Sequence, residues 1–167
     1  MTSLLNSLFL EMARFDRGNP QLIQHFTKVH AYARYIAEEE GLPERERFVV
    51  EAAAYAHDIG ILPAMERYGS SRGPLQEKEG PPAARIMLEG LGFDGECIER
   101  VCWLIGHHHT YDPVEGTDHR ILIEADFLVN LFEGDASDEA KRNAYENLFV
   151  TKAGKKLFRE MFAPGIG

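Results

Sequence analysis

A histidine–aspartate pair, His57-Asp58, stands in a chain that carries a histidine upstream at His30, a run of three at His107-His108-His109 and an isolated aspartate at Asp126. Each of these residues ends or interrupts an apolar stripe of helical period. Ionisable groups on the buried faces of several helices are costly unless something satisfies them together. A metal ion held between the helices does so with a single ligand. Imidazole nitrogen and carboxylate oxygen suit zinc, manganese, iron or magnesium and do not choose among them. His30, His57, Asp58 and Asp126 come from three helices whose apolar faces must converge on one core, so their placement predicts a centre for one or two divalent metal ions. His25 and His119 fall outside this pattern and read as surface or packing residues.

The elements that must carry these side chains are helices, since alternation of period two is almost absent. Asn19-Pro20 is an N-cap followed by proline at the first helical position; it opens a helix that runs to about Glu40 and stops at Gly41. The stripe of that helix is Leu22, Phe26, Val29, Ala33, Ile36 and Ala37, with His30 inside the face. Pro43 starts the next helix, with Glu44 and Glu46 favourable near its N-terminus; it ends at His57-Asp58, and Gly60 and Pro63 break it. Residues 63–82 are the least regular stretch and read as a long loop, a length that in a domain interior is functional or disordered. Helix resumes over Pro82–Glu89. Asp94 caps a further helix with the stripe Ile98, Val101, Cys102, Ile105, which extends onto His108 and His109. Another begins near Asp118 and carries Leu122, Ala125, Val129 and Phe132 on one face, with Asp126 in its middle. The expected architecture is all-α: a single compact helical domain over residues 1–167, its core at about 20–135, with terminal helices 2–15 and 138–162 packing on it.

Composition bounds the function. The 167 residues are 44% hydrophobic and 27% charged, ordinary for a globular protein, and the net charge is −9. Such a balance argues against a nucleic-acid polymer as partner, because phosphate-backbone binding needs basic surface. A small anionic substrate is compatible with it, since a bound divalent cation dominates the field of its own pocket. No run approaches the ~20 apolar residues of a membrane span. Met1–Met12 is amphipathic without a basic leader, and Cys97 and Cys102 match no redox or zinc spacing, so buried free thiols and a cytoplasmic setting are expected.

The order His30, His57-Asp58, Asp126 resembles the HD-domain superfamily, metal-dependent enzymes with an H…HD…D ligand order on a helical bundle. The resemblance covers about residues 20–135 and includes the later Ile-Gly-His-His-His and Glu-Ala-Asp-Phe-Leu segments. In two-metal members an I-x-x-H or I-x-x-H-H segment adds ligands, which implies His108, then His109, after Ile105; His107 fits that spacing less well. A further histidine of such members is missing. Ahead of Ala83-Ala84, where it would fall, stands Glu79, which is either a ligand carboxylate or a helix N-terminal charge. Many HD phosphohydrolases also continue His-Asp with Ile-Gly-Lys, whose lysine meets the substrate phosphate. This chain has Ile61 at that place, so Ser70, Ser71, Arg72 and Lys78 become the candidates for phosphate contact.

What the resemblance implies is hydrolysis of a nucleotide or other small phosphorylated metabolite by a water activated on the metal. Asp58 would hold the metal and orient the water, His108 or His109 would complete a second site or protonate the leaving oxygen, and Glu79 would serve as a further carboxylate beneath a lid at 66–80. Two alternatives stand beside it: a di-iron oxygenase on the same fold, and a non-catalytic metal- or nucleotide-binding regulatory module. Homo-oligomerisation is left open.

Overall fold

Three helix starts are fixed by side chains that satisfy a free amide of the first turn. In the computed structural model, which describes residues 1–162, Asn19 accepts the Leu22 N–H at 3.2 Å, Asp94 that of Cys97 at 3.1 Å, and Ser137 that of Ala140 at 3.2 Å. The helices they open are among α1 (Thr2–Phe15), α2 (Pro20–Glu39), α3 (Glu44–Ala56), α4 (Ile61–Tyr68), α5 (Gly73–Leu91), α6 (Gly95–Ile105), α7 (Thr117–Glu133), α8 (Asp138–Asn147) and α9 (Lys152–Phe162). The described residues contain helices and no strand, as the all-α expectation requires. Residues 163–167, included in the expected domain, lie outside the described residues.

α3 is the hub. Phe48, Val49, Val50, Ala52, Ala53, Ala54 and Ala56 are all buried, so the helix is apolar nearly all round, the pattern of an element enclosed by its neighbours. It packs on α1, α2, α6 and α7, and its alanines let those helices come close. Large side chains from the surrounding helices fill the remaining space: Phe26, Ile36, Leu104, Ile105, Ile121 and Leu122 are each at most 1% exposed. Burial of each such side chain contributes about 1.5–3 kcal/mol. Because α3 runs through the core, its C-terminal end, where His57 and Asp58 follow, opens inside the bundle.

The stretch 63–82, read above as a loop, is mostly helical: it contains the end of α4 and the first half of α5. Proline runs misled the reading. Pro81 and Pro82 lie inside α5, where each removes an amide hydrogen bond at a cost of roughly 3 kcal/mol. What holds the helix is its buried stripe, Gln76, Gly80, Ala84 and Leu88, at a spacing of four. Two glycines permit the approach. A Cβ on Gly60 would lie 2.5 Å from the Gln76 carbonyl oxygen, and one on Gly80 would lie 2.6 Å from the Ile105 side chain. The Ile-Gly after His57-Asp58 is thus the point where α5 presses against the end of α3.

No helix among the described residues is long and apolar enough to cross a membrane. Cys97 and Cys102 are buried free thiols, and burial pushes the Cys97 thiol up to about 11.

Candidate metal centre

His57 is fully buried and Asp58 keeps 18% of its side chain exposed, so the pair bridges the interior and a small opening. Around it α2 contributes His25 and α7 contributes Asp126. The His25 Nε2 lies 3.1 Å from Asp126 Oδ1, 3.3 Å from Asp58 Oδ2 and 3.2 Å from His57 Nε2. The His57 Nε2 is 3.4 Å from both carboxylates. Two imidazole nitrogens and two carboxylates from three helices therefore converge on one point, and His25, His57 and Asp58 form a group able to hold a metal ion.

The α2 histidine at this point is His25, not His30, and the expectation for both residues is corrected. His30 lies on the other edge of the α2 stripe, where its Nε2 meets Glu51 at 2.8 Å and its ring stacks on Tyr55 at 3.9 Å. Residues 25 and 30 flank the same apolar stripe. Periodicity identifies the stripe but not which edge faces α7 and which faces α3.

Three rings share one wiring. The His25 Nδ1 donates to Glu133 at 2.9 Å, the His57 Nδ1 to the Ala54 carbonyl at 2.8 Å, and the His108 Nδ1 to the Ile105 carbonyl at 2.7 Å. Each outer acceptor accepts a hydrogen bond from Nδ1–H and leaves Nε2 turned toward the cluster, the usual support of a metal-bound histidine. The His108 Nε2 is buried with no hydrogen-bond partner, 3.6 Å from Asp58 Oδ1. A buried nitrogen without a partner is costly in a protein interior, and a cation beside Asp58 would satisfy it. The donor set fits a divalent metal.

The charges point the same way. Burial favours neutral His57, but the Asp58 and Asp126 carboxylates outweigh it and push the ring up to about 9. Burial would raise Asp126, yet hydrogen bonds from His25 and His57 hold it well below the usual carboxylate range. Asp58 is likewise lowered against its burial, chiefly by His57 and His108. These directions follow from the negative field of two adjacent carboxylates, a field that suits a cation.

A second group, Asp58, His108 and His109, also lies close enough to hold an ion. His109 is wired differently from the other three. Its Nε2 faces Gln76 Oε1 at 3.2 Å and its Nδ1 faces the Tyr111 hydroxyl at 3.3 Å. Its backbone amide donates to Glu77 at 2.9 Å. His107 stands apart: its Nδ1 donates to the Trp103 carbonyl, its ring stacks on Trp103 at 4.0 Å, and its own carbonyl accepts from the buried His119.

Glu79 is not in the cluster. It accepts from the Tyr68 hydroxyl at 2.8 Å and from Arg67 at 3.1 Å, tying α4 to α5, and it sits in mid-helix, so neither expectation for it holds. The polar residue that α5 does send to the centre is Gln76, three positions earlier. A cavity of about 260 Å³ opens onto the centre and is lined by Gln21, Ile61, Gln76, His109, Asn130 and Glu133 among others. Ser70, Ser71, Arg72 and Lys78 are not among its lining residues; Lys78 lies over the Tyr68 ring, and the Ser71 carbonyl accepts from Gln76.

Three contributors went unread in the sequence. Glu133 supports His25 and pairs with Lys28 at 2.6 Å. Gln76 lacks the charge that marks a candidate ligand. Asp16, at the end of α1, is 5% exposed and is pushed up to about 6 by burial and by the Asp58 charge. Only Glu133 had a legible signal, since it lies seven residues past Asp126 on the same helix and so near the same face.

A family model described as HD domain matches residues 22–147 of the chain. No curated protein matches it.

Proposed function

The chain belongs to the HD-domain family, and we propose that it is a metal-dependent phosphohydrolase acting on a nucleotide or another small phosphorylated metabolite. The observation that carries this reading is the convergence of His25, His57, Asp58 and Asp126 at 3.1–3.4 Å, with imidazole Nε2 atoms turned inward. These four residues would hold a divalent cation, which would supply Lewis acidity and make a water a better nucleophile near neutral pH.

The remaining work falls to the chain's own residues. In the hydrolysis, water adds to phosphorus, the ester P–O bond breaks, and the departing oxygen takes up a proton. Asp58, the more open of the two carboxylates, orients the attacking water. The proton that the attacking water loses passes to the departing oxygen, beside His109, whose Nε2 faces the cavity side at Gln76. Burial and the neighbouring His108 lower the pKa of His109, so it acts as a neutral hydrogen-bonding ring. With no lysine or arginine among the lining residues, substrate contact is uncharged, from amides such as Gln21 at the rim. The whole chain is read as one domain, and its substrate as a small molecule, not a nucleic-acid polymer.

The test is elemental analysis of the purified protein followed by a panel of phosphate esters with the metal found. Asp58→Ala should lose both metal and activity; full retention of both would sink the proposal. One observation favours a second reading, oxygenation by an iron centre: Ile61, at the place of the phosphate-binding lysine, lines the cavity. Iron content with oxygen uptake and no phosphate release would select it.

A further inference from the structure

Resting on the metal reading above, we infer that His119 is a positioning residue of the centre: by holding the His107 carbonyl, it sets the turn that presents His108 beside Asp58. That turn runs from His107 to Thr110 and is closed by the Thr110 amide, which donates to the His107 carbonyl at 2.9 Å. His108 and His109 stand at its two central positions, so its placement governs both rings. The carbonyl has a second lone pair, and His119 Nε2 donates to it at 2.7 Å. On the other side of the same ring, the Glu115 amide donates to Nδ1 at 3.2 Å. A backbone amide only donates and a carbonyl only accepts, so the direction of both bonds is fixed. One imidazole thereby clasps the two ends of the segment 107–115.

The surroundings hold that clasp in place. His119 is fully buried, although it is the third residue of α7. Trp103 meets its ring edge-on at 5.1 Å and stacks on His107 at 4.0 Å. Arg100 donates to both Asp118 oxygens at 2.7 Å and to the Glu115 carbonyl at 3.0 Å, so Glu115 is gripped by its amide and by its carbonyl. The end of α6 fixes where the turn begins, and Glu77 on α5 accepts the His109 amide at 2.9 Å. His119 is the link to α7, the helix that carries Asp126 seven residues further along, two turns on and near the same face. α7 thus supplies the centre with a carboxylate directly and sets an imidazole through the chain. The Ile105 carbonyl decides how the His108 ring is turned, and the His119 bond decides how far that ring stands from Asp126. Its Nε2, buried without a partner 3.6 Å from Asp58, is the atom so placed.

Cobalt(II) loading of the whole chain tests this. Each cobalt-bound imidazole with a proton on Nδ1 gives one exchangeable, strongly downfield-shifted proton signal. The parent should show three, from His25, His57 and His108, whose Nδ1 atoms all donate outward. His119→Phe fills the space without either bond and should show two, with cobalt affinity about 10- to 100-fold lower, the range usual for groups that support a ligand. His119→Gln, whose amide reaches the His107 carbonyl as a donor, should restore the third signal and most of the affinity. His119→Asn serves if His119→Phe fails to fold: it keeps an acceptor for Glu115, falls short of His107 and should show two signals. Three signals in folded His119→Phe or His119→Asn, two in His119→Gln, or two in the parent would overturn the inference and leave the metal reading standing. A parent that binds no cobalt overturns both.

Discussion

Glu133→Gln tests the metal reading without touching a ligand. The carboxylate sits 2.9 Å from the His25 Nδ1 and has 20% of its side chain exposed, so its charge is only partly screened. Across the imidazole ring, a full charge about 5 Å from the metal-facing nitrogen is worth roughly 3 kcal/mol at an effective dielectric near 20. Lys28, 2.6 Å from the other oxygen, cancels part of that. A net loss of about 1.4–2.7 kcal/mol follows, or 10- to 100-fold in metal affinity, the range usual for outer partners of a ligating histidine. The amide oxygen can still accept from Nδ1, so ring orientation survives and the loss isolates the charge. Competition titration against a chelator with zinc or manganese reads the constant directly. Lys28→Met should shift it the opposite way, by a few-fold, because it unmasks Glu133. An affinity within twofold of the parent in folded Glu133→Gln would refute the reasoning, since His25 would then owe nothing to its carboxylate.

His25→Ala should abolish tight metal binding while His30→Ala leaves it unchanged, because His30 bonds Glu51 instead of the cluster; equal losses in both, read by metal content, would place the centre elsewhere. Gly60→Ala should lower stability by about 2–3 kcal/mol, since the added methyl meets α5 backbone at 2.5 and 2.9 Å and cannot be relieved by a side-chain rotation; denaturant unfolding at neutral pH checks it. Asp16→Asn bears on pH. With the folded-state pKa raised to about 6, the protonated carboxyl favours the fold fully below about 3.8, and that advantage is lost as pH rises through 6. The variant should therefore be more stable than the metal-free parent at pH 8, by at most about 3 kcal/mol, and indistinguishable from it at pH 3.5; no difference between the two pH values would contradict the burial of that charge.

The helices whose faces are apolar were legible, and so was the placing of His57, Asp58 and Asp126 on faces that converge. The caps at Asn19, Asp94 and Ser137 each receive the expected amide. His57, Asp58, His108 and Asp126 reach the centre as their positions on buried stripes implied. The choice between His25 and His30 was not legible, because both border the same face and the difference is a rotation of α2 about its axis. That rotation is set by tertiary contacts: His25 with Glu133 on α7, His30 with Glu51 and Tyr55 on α3. A second misreading, Glu79, came from searching for charge. Chemistry at that place in the fold is carried by a neutral amide, which a search for ionisable ligands passes over.

α5 shows why the neutral residue matters more than the charged one. Its stripe of Gln76, Gly80, Ala84 and Leu88 grades from a hydrogen-bonding group at the cavity to an aliphatic one in the core. The glycine in the second place brings the helix against Ile105, one turn before His108 and His109 on the chain, and Gly60 admits it beside Asp58. Close contact on both sides fixes where Gln76 must stand, within hydrogen-bond reach of His109. Pro81 and Pro82 are tolerated because the packing on their two flanks, not the helix's own ladder, determines its path. A substitution that moved α5 outward, such as Gly80→Val, should therefore do more than destabilise the core. It should release His109 from Gln76 and alter the metal centre, although residue 80 touches no ligand.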